Sequence, residues 1–187
     1  MAELKILTYP DPFLMKKAVT ASEAELGSEQ LKTLLSDMIE TMRSASGIGL
    51  AAPQVGVGVR AIVLDVPIDV EDSEGEVRQK YGTNILKLVN PTIEASSGTT
   101  KFEEGCLSVP GVKAEVKRAE KVTLKAFDEN GNAVSFDADG LLAIALQHEI
   151  DHLDGVLFID RLGRIKRDLI KRKLRKALSE EEHGAVL

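Results

Sequence analysis

The sequence has no tryptophan, few aromatic residues and one cysteine. Aromatic side chains make up only 4% of its 187 residues, so aliphatic side chains must build most of the core. A single cysteine excludes an internal disulfide framework, which suits a reducing compartment. No apolar run approaches the roughly 20 residues that a membrane-spanning helix needs. The amino terminus also lacks the pattern of a signal peptide. We therefore expect a cytoplasmic protein without a membrane partner.

Charge is unevenly distributed along the chain, although the net value of -6 is moderate. Residues 161–178 hold nine Lys or Arg and one acid, whereas residues 1–160 are acidic overall. This asymmetry divides the chain into a main domain, residues 1–163, and a basic helix with an acidic tail, residues 164–187. A basic segment of this kind suggests a polyanionic partner.

The same segment has the periodicity of an amphipathic helix. Its apolar residues fall on two adjacent stripes: Leu162, Ile165 and Leu169 on one, and Ile170, Leu174 and Ala177 on the other. The alternative to polyanion binding is a solvated terminal helix that docks an apolar stripe on the main domain.

Regular elements can be predicted for much of the main domain. Residues 28–44 have helical periodicity, with Ser28 as a cap. Residues 60–66 and 85–91 resemble strands, the second ending at Pro91, and residues 121–136 resemble two strands around the turn DENGN. Residues 69–82 are acidic and poor in apolar side chains, so we expect a mobile surface loop there.

The stretch QHEIDH, residues 147–152, indicates a metal site. On a helix, His148 and His152 lie one turn apart on one face, and Glu149 lies beside them. Two imidazoles at this spacing can chelate a metal, and the carboxylate can act as a base on water. The alternative is a helix whose polar residues simply pack against neighbours.

This helix is expected to run from residue 140 to about residue 155, with Asp137 or Asp139 as its cap. Its first half is apolar all round, which predicts burial. Buried histidines and acids are costly unless they are paired or coordinating, so burial favours the metal interpretation.

A catalytic metal site usually has three protein ligands. His183 lies in a polar tail, and Cys106 is the remaining candidate of the usual type. A lone cysteine is more often a small buried apolar residue. Its sequence context, EGCLS at 104–108, changes this assessment because it belongs to a larger pattern.

Three motifs in order, GIGLAAPQ (47–54), EGCLS (104–108) and QHEIDH (147–152), resemble the peptide deformylase family. The resemblance covers most of the chain. It implies an α+β fold with short, mostly antiparallel sheets around a central metal-binding helix, followed by a C-terminal helix. Residues 1–163 would then be the catalytic domain.

By this resemblance, one divalent metal is bound by Cys106, His148 and His152. One thiolate and two imidazoles suit zinc or ferrous iron. The resemblance implies Fe(II), with Zn(II) as the alternative.

The resemblance also implies the reaction, hydrolysis of the formyl group of an N-formylmethionyl peptide with release of formate. Glu149 would accept the proton of the attacking water and deliver it to the departing amine. The side chain of Gln54 and the backbone N–H of Leu107 would stabilise the oxyanion. Without the resemblance, Gln54 would be interpreted as an ordinary loop amide.

The implied substrate is the amino-terminal part of a nascent polypeptide, lying along the protein as an extra strand. Main-chain bonds would come from Ile48, Gly49 and Gly105. The methionine pocket would be formed by Ile48, Phe102, Leu141, Ile144 and the His148 ring. Ordinary core packing is the alternative for these apolar side chains.

The basic helix resembles a segment that is associated with the ribosome in bacterial members, so ribosomal RNA is the expected polyanion and DNA is not expected as a partner.

Two other functions are alternatives to deformylation. A zincin-type protease would usually take a third ligand downstream of HExxH, where only Asp154 and Asp160 are available. A non-catalytic metal- or ribosome-binding protein would have no need of Glu149.

Overall fold

A computed structural model describes residues 2–71 and 77–184. The described part contains three α-helices, α1 (Glu29–Ser44), α2 (Gly140–Leu153) and α3 (Arg164–Gly184). Its strands are β1 (Gly49–Ala51), β2 (Ala61–Asp65), β3 (Ile68–Glu71), β4 (Val77–Lys80), β5 (Ile85–Ser97), β6 (Thr100–Cys106), β7 (Val109–Arg118), β8 (Lys121–Phe127) and β9 (Ala133–Asp139). The predicted α+β class is confirmed.

Five strands form one antiparallel sheet in the order β1-β2-β5-β8-β9, which leaves β1 at an edge. The pairs β3–β4 and β6–β7 form two smaller antiparallel sheets. Helix α2 packs on β1, β2, β8 and β9, as the expectation of a central helix requires. The apolar residues between α2 and the large sheet are aliphatic and include Leu64, Leu124 and Leu146, all fully buried.

Two predicted helices form with small differences. The Ser28 hydroxyl accepts a hydrogen bond from Leu31 N at 3.3 Å and caps α1, as predicted. The expected caps of α2 are wrong. Asp139 occupies the cap position without a side-chain bond to the helix, and Asp137 instead accepts a bond from Thr123 Oγ1 at 2.6 Å. The cause is that β9 continues directly into α2.

The strand predictions are confirmed in position, but one boundary is wrong. Strand β5 continues to Ser97 instead of ending at Pro91. Its pairing with β8 shifts register between Val89 and Thr92, and Asn90 has a φ of 52°. This irregularity accommodates a proline, which cannot donate a ladder hydrogen bond.

The loop expected at 69–82 is also wrong for most of its described residues. Residues 68–71 and 77–80 pair as a hairpin, whereas residues 72–76 lie outside the described part. The short alternation of Ile68 and Val70 is the strand signal that the acidic composition obscured. The hairpin is attached to the main sheet where Gly82 N donates to Asp65 Oδ1 at 2.7 Å.

Helix α3 docks through only one of its two apolar stripes. Ile170 and Leu174 pack against a cluster that includes Tyr9 and Phe158. Of the other predicted stripe, Leu162 precedes α3 and packs on the same cluster, whereas Ile165 and Leu169 are 88% and 50% exposed. Within the described ranges, no helix is both long enough and apolar enough to cross a membrane.

Candidate metal centre and substrate cleft

Cys106, His148 and His152 meet although they come from distant elements. The two histidines lie one turn apart on α2, and Cys106 is the last residue of β6. The β6–β7 register shifts between Gly105 and Cys106, an irregularity that redirects a side chain. One ligand atom from each residue lies within 4.8 Å of the others, and Cys106 Sγ is 3.2 Å from His152 Nε2.

The residues fit a metal of the expected kind. Burial and the neighbouring His148 and Arg118 hold the pKa of His152 well below its usual range, so this ring is neutral as a ligand must be. Glu149 Oε2 is buried without a hydrogen-bond partner among the described residues. An unpaired carboxylate oxygen beside one thiol and two imidazoles is expected where a divalent cation and its water bind.

Glu149 lies at the side of this group. Its carboxylate faces the Cα of Gly49, and the side chain is 4% exposed. Burial raises the pKa of Glu149 to about 7. A carboxyl group with this pKa can both take and return a proton near neutral pH.

Behind His148 lies a buried ion network that the sequence motifs do not predict. His148 Nδ1 is 2.8 Å from Glu104 Oε2. The Arg118 guanidinium donates to both oxygens of Glu104, at 2.7 and 2.9 Å, and to Asp151 Oδ2 at 2.6 Å. All four side chains are largely buried. The bond to Glu104 fixes the His148 ring and leaves its Nε2 as the nitrogen available to a metal.

Glu104 could have been found from the sequence. Residues two apart on a regular strand point to the same face, so the sequence alone would place Glu104 beside Cys106, although the register shift after Gly105 interrupts this alternation. An acid placed in this way beside a metal ligand is a candidate partner for a coordinating histidine. Its pairing with Arg118 depends on the β6–β7 register, which the sequence does not reveal.

Gln54 also reaches the centre. It lies in a 3₁₀ turn, Ala52–Val55, and is 2% exposed. Its Oε1 accepts from Ala51 N at 2.8 Å, and its Nε2 donates to Ser108 Oγ at 3.1 Å and lies 3.6 Å from Cys106 Sγ. The backbone therefore orients the amide so that its NH₂ group faces the sulfur.

A cleft of about 940 Å³ opens over the centre. Its walls include Ile48 and Gly49 at β1, Phe102 and Gly105 on β6, and Leu107 just beyond β6. Helix α2 contributes another group of lining residues, Leu141, Ile144, His148 and Glu149. His152 does not line the cleft and is 1% exposed. The residues predicted from the three motifs are therefore brought together at one site.

The acids downstream of HExxH are engaged elsewhere. Asp154 Oδ1 accepts from Arg60 at 2.7 Å, and Asp160 Oδ1 accepts from Lys171 at 2.6 Å. Neither supplies the downstream ligand that a zincin-type protease would use.

Hydrolysis assisted by a metal is the chemistry that this arrangement supports, so the molecule falls in the class of metal-dependent hydrolases that carry HExxH on a helix. The sequence model of one family, polypeptide deformylase, matches residues 3–168. The chain belongs to the polypeptide deformylase family. Enzymes of this family remove the N-formyl group from newly made polypeptides, so the alternative of a non-catalytic binding protein is wrong.

Relatives match along nearly the whole chain. The peptide deformylase of Thermodesulfovibrio yellowstonii is 49% identical over 94% of this chain and 98% of its own length. The crystal structure of a peptide deformylase from Legionella pneumophila is 44% identical, with a TM-score of 0.80, and the match covers 97% of this chain and 98% of that protein. The Ehrlichia chaffeensis enzyme in complex with actinonin is 38% identical, with a TM-score of 0.81, over 95% of this chain and 98% of its own.

Proposed function

We propose that deformylation of N-formylmethionyl polypeptides takes place at the Cys106/His148/His152 group, with Glu149 as the proton carrier. The observation that carries the proposal is the buried Glu149 carboxylate beside this group, with one oxygen free of protein partners in the described part. Cys106, His148 and His152 would hold one metal, which supplies Lewis acidity to the carbonyl and lowers the pKa of water. We propose Fe(II), with Zn(II) as the alternative that the same donors suit.

The chain's own residues account for the proton transfers. Glu149 accepts the proton of the attacking water and delivers it to the amine that leaves. Formate and a free amino terminus are then the products.

The formyl oxygen gains negative charge during the attack and needs hydrogen-bond donors. Gln54 supplies its NH₂ group, which already faces Cys106, and Leu107 supplies its backbone N–H. Ser108 accepts a bond from Gln54 and holds the amide ready for this role.

The peptide lies in the cleft as an added strand. In the described part, β1 pairs on one side only, with β2, so its other edge is available for main-chain bonds. We propose that Ile48, Gly49 and Gly105 provide these bonds. The methionine side chain lies against an apolar group made of Ile48, Phe102, Leu141, Ile144 and the His148 ring.

Formate release from a formyl-Met tripeptide tests this proposal. The protein is purified without oxygen, because a metal-bound thiolate is prone to oxidation, and its metal is counted by emission spectroscopy. Glu149→Ala is expected to abolish turnover while retaining the metal. Asp154→Ala is the matched control, since this acid follows α2 but pairs with Arg60 outside the cleft. A metal-loaded protein that releases no formate would rule the proposal out.

We further propose that residues 1–163 are the catalytic domain of a cytoplasmic enzyme and that residues 164–187 contact ribosomal RNA. Exposed basic side chains on α3 support this role because they stay accessible while Ile170 and Leu174 are docked. They include Arg164, Lys166, Arg172 and Lys173.

Charge reversal tests the contact in the full-length chain. Lys166→Glu, Arg172→Glu and Lys173→Glu together should abolish co-sedimentation with ribosomes at low salt and leave formate release unchanged. An equal charge change is made in the control at Lys5, Lys101 and Lys121. Equal loss in both variants would mean that only net charge matters.

A further inference from the structure

Arg161 stands at the exposed end of a hydrogen-bonded chain of side chains that ends on His148. Its guanidinium makes two bonds to the Asp151 carboxylate, one from Nε to Oδ2 at 3.0 Å and one from Nη2 to Oδ1. The chain continues from Asp151 through Arg118 and Glu104 to His148 Nδ1. Only Arg161 in this series is exposed to solvent, with 49% of its side chain accessible.

The turn that carries Arg161 also contacts His148 directly. Arg161 ends a 3₁₀ turn, Phe158–Arg161, that follows α2. The ring of Phe158 is fully buried and stacks on the His148 ring, with centroids 6.1 Å apart and an interplanar angle of 26°. One short turn therefore contacts this ring directly and through a chain of ion pairs.

Arg161 lies away from the substrate. It lines a separate surface cleft of about 430 Å³ together with Lys117, Asp154 and Gln147. The residues that line the substrate cleft do not include it. Any effect of Arg161 on the reaction must therefore pass through Asp151, Arg118 and Glu104, or through the turn that places Phe158 on His148.

Positive and negative side chains alternate along this hydrogen-bonded chain, and Arg161 is the cation at its outer end. Asp151 is shared by two guanidinium groups, whereas Glu104 has one guanidinium partner, Arg118, and contacts His148. Without Arg161, Asp151 would be a buried carboxylate with Arg118 as its single cation in this network. Arg118 would then be drawn toward Asp151, and its two bonds to Glu104 would weaken. Glu104 is the group that orients His148.

We propose that Arg161 is a positioning residue for His148, acting through Asp151, Arg118 and Glu104. The inference rests on the proposed function in one respect, that His148 is a metal ligand. Arg161 fixes the carboxylates behind the ring, and the ring in turn presents Nε2 in a constant direction.

The test measures the metal itself. Arg161→Ala is loaded with Co(II), and two properties are recorded: the visible spectrum, which reports ligand geometry, and the rate at which a chelator removes the metal. Metal loss is expected to be about tenfold faster than in the unaltered protein, the lower end of the effect of removing outer partners of metal-bound histidines. Arg161→Lys keeps the charge but not the paired geometry, and should recover part of this loss.

Arg43→Ala is a closely matched control. Arg43 is 47% exposed and makes the same two kinds of bond, from Nε and Nη2, to the buried Asp65. It should reduce stability while leaving the Co(II) spectrum and the metal-release rate unchanged.

The outcomes separate the two proposals. If the unaltered protein binds Co(II) and releases formate, but Arg161→Ala matches Arg43→Ala in spectrum and release rate, the positioning role is wrong and the proposed function stands. If the unaltered protein binds no Co(II) at this centre, the proposed ligands are wrong and the role of Arg161 falls with them.

Discussion

A side chain on Gly49 would overlap the carboxylate of Glu149. A Cβ placed on Gly49 would lie 2.9 Å from Glu149 Cδ and 3.0 Å from Cγ, closer than packed carbon atoms approach. Glu149 is buried, with 4% of its surface exposed. Gly49 therefore makes room for the carboxylate, in addition to the room we propose it leaves for the peptide.

Gly49→Ala is accordingly expected to displace Glu149 and to reduce formate release about 100-fold, because small misplacements of a catalytic group cost about that much. Metal content should be unchanged, since the three atoms nearest to the new methyl group all belong to Glu149 and none to a ligand. Gly163→Ala is the control because a Cβ there meets nothing within 4 Å. Full activity in Gly49→Ala would show that the reaction does not depend on the position of Glu149.

Removal of the Gln54 amide should reduce kcat more than it changes KM. Loss of one oxyanion donor costs about 10²–10³ in rate in other acyl-transfer enzymes, so Gln54→Ala is expected to fall in that range with its metal retained. Ser108→Ala removes the hydroxyl that holds the amide but keeps the amide itself, so its loss of kcat should be smaller than that of Gln54→Ala. An unchanged kcat in Gln54→Ala would mean that the NH₂ group does not stabilise the transition state.

Local spacing was enough to predict the histidine pair and its helix. Positions 148 and 152 share a helical face whatever the rest of the fold does, and the apolar first half of α2 requires burial. Cys106 was reached only through the family resemblance, because its approach to α2 depends on an irregularity at the end of β6.

The ion network behind His148 could not be predicted because it depends on contacts distant in sequence. Glu104 and Arg118 are neighbours through the β6–β7 register, and Asp151 joins them only when α2 is in place. The docked stripe of α3 could not be predicted for the same reason. Both stripes are apolar, and only the cluster around Phe158 distinguishes them.

Arg118 is expected to contribute strongly to stability. Its side chain is 2% exposed, and Arg118→Ala would leave two buried carboxylates without this cation. Removal of one partner from a buried ion pair costs about 3–5 kcal/mol, and urea unfolding of the metal-free protein measures this loss. Lys101→Ala, which breaks the exposed pair with Glu115 on the same two strands, should change the free energy of unfolding by less than about 1 kcal/mol. Similar losses in both variants would contradict the assigned role.

Glu104 makes the stability of the metal-free protein sensitive to acid. Burial opposes its ionisation, but hydrogen bonds from Arg118 and His148 outweigh burial and lower its pKa from 4.5 to about 2. The folded protein therefore holds this carboxylate ionised at pH values where the unfolded chain protonates it. Its contribution is complete above about pH 4.5 and is lost as the pH falls toward 2, up to about 3 kcal/mol in total.

Urea unfolding of the metal-free protein between pH 6 and pH 3 measures this linkage. Glu104→Gln is less stable at pH 6, since Arg118 loses a charged partner, but its stability should fall less steeply with acid. Glu115→Gln, a change at an exposed acid on the neighbouring strand, should follow the slope of the unaltered protein. If the free energy of unfolding of Glu104→Gln fell with acid as steeply as that of the unaltered protein, other carboxylates would cause the acid sensitivity. Arg118 would then not be what keeps Glu104 charged behind His148.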